Sequence, residues 1–205
     1  MRSVSPLLIA NRGEIAVRIA RTARQLGVES IAVASDADRQ APHTRAADRV
    51  VAIGGERAAD SYLRIDRIVA AARASGAAAL HPGYGFLSEN TSLAEAVAAA
   101  GLVWIGPPPS AMRAMADKSE ARQRMVAAGV PVLPGYDGAA QDRALLQREA
   151  ARIGFPVMVK AAAGGGGRGM RLVHDDTGLA SALDSAAAEA SPVSTGSYTH
   201  LRAHE

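Results

Sequence analysis

Along the first hundred positions the apolar residues follow a repeating order. A short unbroken run is followed by a stretch in which they recur every three or four residues, and then another short run appears. Leu7-Leu8-Ile9-Ala10 is the first run, and Ile15, Ile19, Ala23 and Leu26 follow at one face of a 3.6-residue period until Gly27. Ser30-Ile31-Ala32-Val33-Ala34 and Arg49-Val50-Val51-Ala52-Ile53 are the next runs. Ser61 is placed to cap a helix with Ile65, Ile68, Val69 and Ala72 on one face, ending at Gly76. Ala77-Ala78-Ala79-Leu80 is a fourth strand, Ser92 with Glu95 makes a capping box for an alanine-rich helix ending at Gly101, and Leu102 to Gly106 is a fifth strand. Short buried strands alternating with amphipathic helices predict βαβ units and an α/β, Rossmann-like parallel sheet.

Pro107-Pro108-Pro109 interrupts this order. Three prolines cannot continue a strand ladder or a helix interior, so a domain boundary is expected there, with a first domain over 1–109. A helix is predicted from Ser110 to Ala128, with Met112, Met115 and Met125 for packing and Lys118 within it. Val130 to Gly135 reads as extended, and Gln141 to Arg152 as an amphipathic helix with Leu145, Leu146 and Ile153 inward. Two strands, Phe155 to Lys160 and Met170 to Val173, flank a glycine loop, and Asp175 or Asp176 caps a helix running to Ala190. These elements predict a second unit over 110–190. From Ser191 the chain is polar and aperiodic, so 191–205 is expected to be a linker-like or non-native tail. His200 and His204 would share a helix face, but a disordered end is the simpler expectation.

Composition narrows the partners. The 205 residues are 48% apolar but only 3% aromatic, so the core must be built from Ala, Val, Leu and Ile. The net charge of +3, without a basic stripe interleaved with aromatics, does not point to nucleic acid. Cysteine is absent from the sequence, which excludes disulfides and thiolate metal sites. No apolar stretch approaches the ~18 residues of a membrane span, and Met1 to Pro6 lacks a signal-peptide core, so a soluble cytoplasmic protein is expected.

The chemistry concentrates in Lys160-Ala161-Ala162-Ala163-Gly164-Gly165-Gly166-Gly167-Arg168-Gly169-Met170. Four consecutive glycines let backbone N–H groups close over a ligand, and the flanking lysine and arginine favour a polyanion such as nucleotide phosphates. A Walker A loop is excluded, because Gly-Arg-Gly-Met leads into a strand rather than a helix. The spacing of a kinase glycine loop is not met. A dinucleotide site at Asn11-Arg12-Gly13-Glu14 is also rejected, since that turn carries only one glycine. What remains is a glycine hairpin acting as an ATP lid, with lysines from separate elements reaching the phosphates.

Ile9 to Ala16, His81-Pro82-Gly83-Tyr84-Gly85-Phe86-Leu87-Ser88-Glu89-Asn90 and Lys160 to Met170 together resemble the biotin carboxylases, ATP-grasp enzymes found as free subunits or as the N-terminal part of acyl-CoA carboxylase α-subunits. The resemblance covers Leu7 to about Ala190. Pro131 to Gly138 looks closer to the acyl-CoA carboxylase branch. The resemblance implies an N-terminal pre-ATP-grasp domain followed by the start of an ATP-grasp domain. It also implies a reaction in which bicarbonate attacks the γ-phosphate of MgATP and the resulting carboxyphosphate releases carbon dioxide to the deprotonated ureido nitrogen of biotin. By resemblance, Lys118 and Lys160 contact ATP, Gly165, Gly166 and Gly167 cover its phosphates, and Met170 packs by the adenine. Tyr84 and Glu89 would face the biotin or bicarbonate end, whereas His81 is expected to be a hydrogen-bonded core residue. Arg18 and Arg21 match a homodimer face, and a biotinylated carrier domain and a carboxyltransferase are the further implied partners. The family's metal-binding acidic residues and its bicarbonate-binding lysine and arginines have no counterpart after Ala190. The chain is therefore expected to be a truncated piece, inactive alone, with its catalytic residues in a missing C-terminal part. The competing readings are a carbamoyl-phosphate synthetase-like ATP-grasp ligase and a non-catalytic nucleotide-binding module.

Overall fold

A computed structural model of the chain describes residues 4–116, 118–136, 138, 140–161, 170–190 and 199–203. The chain divides into two compact units, Met1–Ala114 and Met115–Glu205.

In the first unit, strands β1 (Leu7–Ile9), β2 (Ser30–Ala34), β3 (Arg49–Ala52), β4 (Ala79–His81) and β5 (Val103–Trp104) form one sheet in the order β3-β2-β1-β4-β5. Every pairing is parallel. Helices α1 (Gly13–Gln25), α2 (Pro42–Ala46), α3 (Ile65–Ala74) and α4 (Thr91–Ala99) connect the strands, with a one-turn 3-10 helix at Ala58–Asp60. The pleat sorts β1 between two cores. Leu7 and Ile9 pack with Ile19, Ala20 and Ala23 of α1. Leu8 packs with Ile31, Val33, Ile68, Leu80, Leu93 and Val97. Burial on both faces explains why β1 and β2 read as unbroken apolar runs, whereas β3, at the sheet edge, is largely exposed.

Helix α5 (Pro109–Ala116) crosses into the second unit, where α6 (Lys118–Ala127), β6 (Gly135–Tyr136), α7 (Arg143–Ile153), β7 (Val157–Ala161), β8 (Met170–Val173), α8 (Asp176–Ala190) and β9 (Thr199–Ala203) follow. Its sheet has the order β6-β9-β7-β8, with antiparallel pairings. Val157, Val159 and Val173 pack with Leu146 and Ala150 of α7 and with Leu179, Ala182, Leu183 and Ala186 of α8.

Several local expectations change. Ser61 does not cap α3, because its hydroxyl donates to the Arg57 carbonyl at 2.7 Å and Arg64 holds the cap position. The cap of α4 is Asn90, whose side-chain oxygen accepts from Leu93 N–H at 3.1 Å; Ser92 lies inside the helix, and Glu95 pairs with Arg113 at 2.5 Å. The single helix expected over 110–128 is two helices, α5 and α6. Pro109 opens α5, where its missing N–H costs no hydrogen bond. Of the two candidates for α8, Asp175 is the cap and accepts from Thr177 N–H at 3.0 Å.

The tail is corrected as well. Residues 199–203 are not a linker but a strand between β6 and β7. Backbone pairing supplies each neighbour with a partner and needs no apolar run of its own. His200 lies in that strand, where a helical i, i+4 pairing does not apply, and His204 lies outside the described residues.

Candidate functional site

The residues singled out in the sequence fall in both units, and in each unit one place brings some of them together. In the first unit, β1 and β4 are neighbours, yet the chain leaves them toward opposite sides of the sheet, so the carboxyl edge between them is the switch point. The loops that follow them carry Asn11-Arg12-Gly13-Glu14 and Pro82 to Asn90. Asn11 is 3% exposed. Its Nδ2 donates to the Pro82 carbonyl at 2.7 Å and to the Tyr84 carbonyl at 2.9 Å, while its Oδ1 accepts from Arg12 N–H at 2.9 Å. Gly83 sits against this amide, and a Cβ there would lie 2.7 Å from Asn11 Nδ2.

Arg12 is fixed beside it. Its guanidinium lies 5.3 Å from the Tyr62 ring centroid and 5.5 Å from that of Phe86, and it pairs with Asp38 at 3.0 Å. The two rings stack at 5.2 Å and 4°. Asp38 also accepts from Ser35 Oγ and Tyr62 Oη, each at 2.9 Å. Burial pushes the Asp38 carboxyl up, but donors on Arg12, Ser35 and Tyr62 outweigh it and hold it below the ordinary carboxylate range. Burial, with the hydrogen bond to Asp38 acting in the same sense, pushes the Tyr62 phenol up to about 12. The cluster therefore stays ionised at Asp38 and neutral at Tyr62 near neutral pH.

Asn11, Arg12, Gly13, Glu14, Ile15, Tyr84, Gly85 and Phe86 line a cavity of about 330 Å³ at this edge. Tyr84 is 60% exposed there. Glu89 is exposed and is not among the lining residues. His81 is half-buried, and its Nδ1 accepts from Gly83 N–H at 3.0 Å; burial holds its pKa below the ordinary histidine value. His43, buried on α2, donates from Nε2 to the Val33 carbonyl at 3.1 Å, and its pKa is also lowered by burial. His43 Nδ1 is the one buried side-chain polar atom among the described residues without a hydrogen-bond partner.

In the second unit, the register of β7 and β8 pairs Met158 with Leu172 and Lys160 with Met170. Val157, Val159 and Val173 face the helices, so alternation puts Met158, Lys160, Met170 and Leu172 on the other face. On β7 and β8 that face carries three apolar residues and one lysine, and Met170 and Leu172 are exposed. Lys118 is the first residue of α6. Gly165, Gly166 and Gly167 lie outside the described residues. No group of three or more His, Cys, Asp or Glu that could hold a metal ion occurs among the described residues, and no described helix is long and apolar enough to cross a membrane.

Sequence reasoning singled out Tyr84 but not the Asn11 amide beneath it, nor the Arg12–Asp38–Tyr62–Phe86 cluster. The only signal was the pair of motifs themselves, since the contacts span 71 and 73 positions for Asn11 and 26 for Arg12.

Residues 3–112 match the biotin carboxylase N-terminal domain, and residues 117–200 match the ATP-binding domain of the carbamoyl-phosphate synthase L chain. The methylcrotonoyl-CoA carboxylase subunit alpha of Oryza sativa subsp. japonica is 54% identical over 92% of this chain and 26% of its own length. The biotin carboxylase of Allochromatium vinosum is 49% identical over 91% of this chain and 42% of its own. The chain thus spans between a quarter and a half of these two relatives' lengths. Among solved structures, a biotin carboxylase–β,γ-ATP complex from Campylobacter jejuni superposes with a TM-score of 0.88 at 45% identity, covering 99% of this chain and 46% of that one. The biotin carboxylase domain dimer of Hydrogenobacter thermophilus 2-oxoglutarate carboxylase, in complex with MgADP and bicarbonate, gives 0.82 at 38% identity, covering 97% and 44%. With a parallel N-terminal sheet, a β7–β8 hairpin and these relatives, the chain belongs to the biotin carboxylase family and spans an N-terminal part of its members.

Proposed function

We propose that the chain serves an ATP-dependent biotin carboxylase, with 1–109 as its N-terminal domain and 110–190 as the beginning of its ATP-grasp domain. The observation that carries this reading is the meeting of two distant motifs, Asn11 to Glu14 and Pro82 to Phe86, in one cleft at the sheet's switch point. In the reaction, a bicarbonate oxygen attacks the γ-phosphorus of ATP, ADP leaves, and carboxyphosphate forms. Carboxyphosphate then divides into carbon dioxide and phosphate, and the deprotonated ureido nitrogen of biotin takes up the carbon dioxide.

Phosphoryl transfer of this kind is driven by positioning and charge neutralisation. Lys160 and Lys118 supply positive charge to the phosphates, Gly165 to Gly167 cover them, and the Met158–Met170–Leu172 face receives the adenine. Tyr84 and Glu89 serve the biotin or bicarbonate end. The described residues do not supply a ligand set for magnesium. A biotinylated carrier is the physiological acceptor, and the exposed arginines of α1, Arg18 and Arg21, fit a contact in a homodimer or a carboxyltransferase complex.

The test is a chimera in which Leu7–Ala190 replaces the matching stretch of the Allochromatium vinosum biotin carboxylase. Bicarbonate-dependent ATP cleavage stimulated by free biotin is expected. A folded chimera that cleaves ATP with ammonia or glutamine as the acceptor, and is indifferent to biotin, would overturn the proposal in favour of a carbamoyl-phosphate synthetase-like ligase.

A further inference from the structure

The position of Tyr84 is inherited from its backbone. The ring is 60% exposed, whereas the carbonyl of the same residue is tied to a side chain that is 3% exposed. That side chain, Asn11, has every polar atom committed to this corner. Both carbonyls it holds, Pro82 and Tyr84, flank Gly83, so the amide lies against a glycine that has no room for a Cβ. Gly83 adopts φ +69 and returns its N–H to His81 Nδ1. Phe86, two residues beyond Tyr84, is held at φ +44, a region that side chains avoid, while its ring is stacked on Tyr62 and covered by Arg12. The loop is thus gripped on both sides of Tyr84 by two adjacent residues at the end of β1, through the backbone by Asn11 and through a ring by Arg12.

We propose that Asn11 is a positioning residue for biotin carboxylation, its buried amide setting where the loop after β4 presents Tyr84. This rests on the reading that Tyr84 serves the biotin or bicarbonate end. The required property is donation, because two carbonyl oxygens converge on one nitrogen. A carboxylate of the same shape would place oxygen against both and push the loop away.

Two variants approach the contact from opposite sides: N11D removes the donors, and G83A fills the space they occupy. In the chimera, each is expected to raise the KM for free biotin by about tenfold, within the roughly 10²-fold that a misplacement of about 1 Å at a reacting centre can cost. The KM for ATP should stay within about twofold. The double variant should be little worse than either single one, because both break the same contact. A biotin KM that does not move, or biotin and ATP parameters that fall together, would overturn the proposal. Amide hydrogen exchange on the 205-residue chain itself gives a reading independent of turnover. N11D should accelerate exchange across Gly83 to Leu87 while leaving the β1 and β2 amides protected, and unchanged exchange in the loop also overturns the proposal. If the parent chimera shows no biotin-stimulated activity, the carboxylase reading fails, and the exchange experiment still decides whether the clamp exists.

Discussion

Lys160 and Met170 stand directly opposite each other across the antiparallel pair of β7 and β8. Cross-strand partners share a face, so one charged and one apolar side chain stand side by side there. In the chimera, K160A is expected to raise the KM for ATP at least tenfold, equivalent to about 1.4 kcal/mol, through loss of charge beside the phosphates. M170A should raise it only about threefold, as loss of packing without loss of charge. The KM for free biotin should change little in both. An ATP titration of each variant at saturating bicarbonate checks this, and equal effects on ATP and biotin would contradict it.

The Tyr62 hydroxyl both donates to Asp38 at 2.9 Å and accepts from Ser35 N–H at 3.1 Å. Tyr62→Phe keeps the ring stack on Phe86 and leaves the buried Ser35 N–H without its acceptor. A loss of about 1–3 kcal/mol in unfolding free energy is expected, read from urea denaturation. A neutral result would mean that another acceptor reaches Ser35.

Burial lowers the pKa of both His43 and His81 relative to the unfolded chain. The unfolded state then binds protons that the folded state resists. The stability contributed by these neutral imidazoles is complete above about pH 6.5 and is lost as the pH falls from there toward their lowered folded values. The Gly83 N–H loses its acceptor when His81 is protonated, so the loop should loosen over the same window. Thermal melts between pH 7.5 and 5 should show a falling midpoint that H43F flattens in part. A midpoint independent of pH across that range would contradict the assignment.

The two candidate caps of α4 separate cleanly. Asn90→Ala should cost about 1 kcal/mol by removing the acceptor of Leu93 N–H, whereas exposed Ser92→Ala should be close to neutral. Paired urea melts decide the point, and the reverse order would restore Ser92 as the cap.

The strands and much of the helical patterning were legible because periodicity is a local property. Leu7 to Ile9 and Ser30 to Ala34 are buried on both faces and read as apolar runs; of the expected α1 stripe, Ile19 and Ala23 are buried beside Ala16 and Ala20, whereas Ile15 is only partly buried and Leu26, at the helix end, is exposed. Caps were less legible. Asn90, Ser92 and Ser61 all carry suitable oxygens, and only the direction of the incoming backbone selects among them. The strand at Thr199–Ala203 was missed because its order comes from its neighbours' edges rather than from its own pattern. In the candidate site, Tyr84, Lys160 and Met170 were visible through motifs, while Asn11's contact with Tyr84 spans 73 positions and exists only after β1 and β4 pair.

The placement of β1 also has a consequence for how the protein is made. It precedes β2, β3, β4 and β5 in the chain, yet it lies at the centre of the sheet, between β2 and β4. One of its edges waits for residues 79–81, and its Asn11 amide waits for Tyr84. Until then a fully apolar strand has a partner on one side only, and contacts of such long separation close slowly. The cleft can therefore form only once β4 has been made, and until then the half-built sheet carries an open apolar edge.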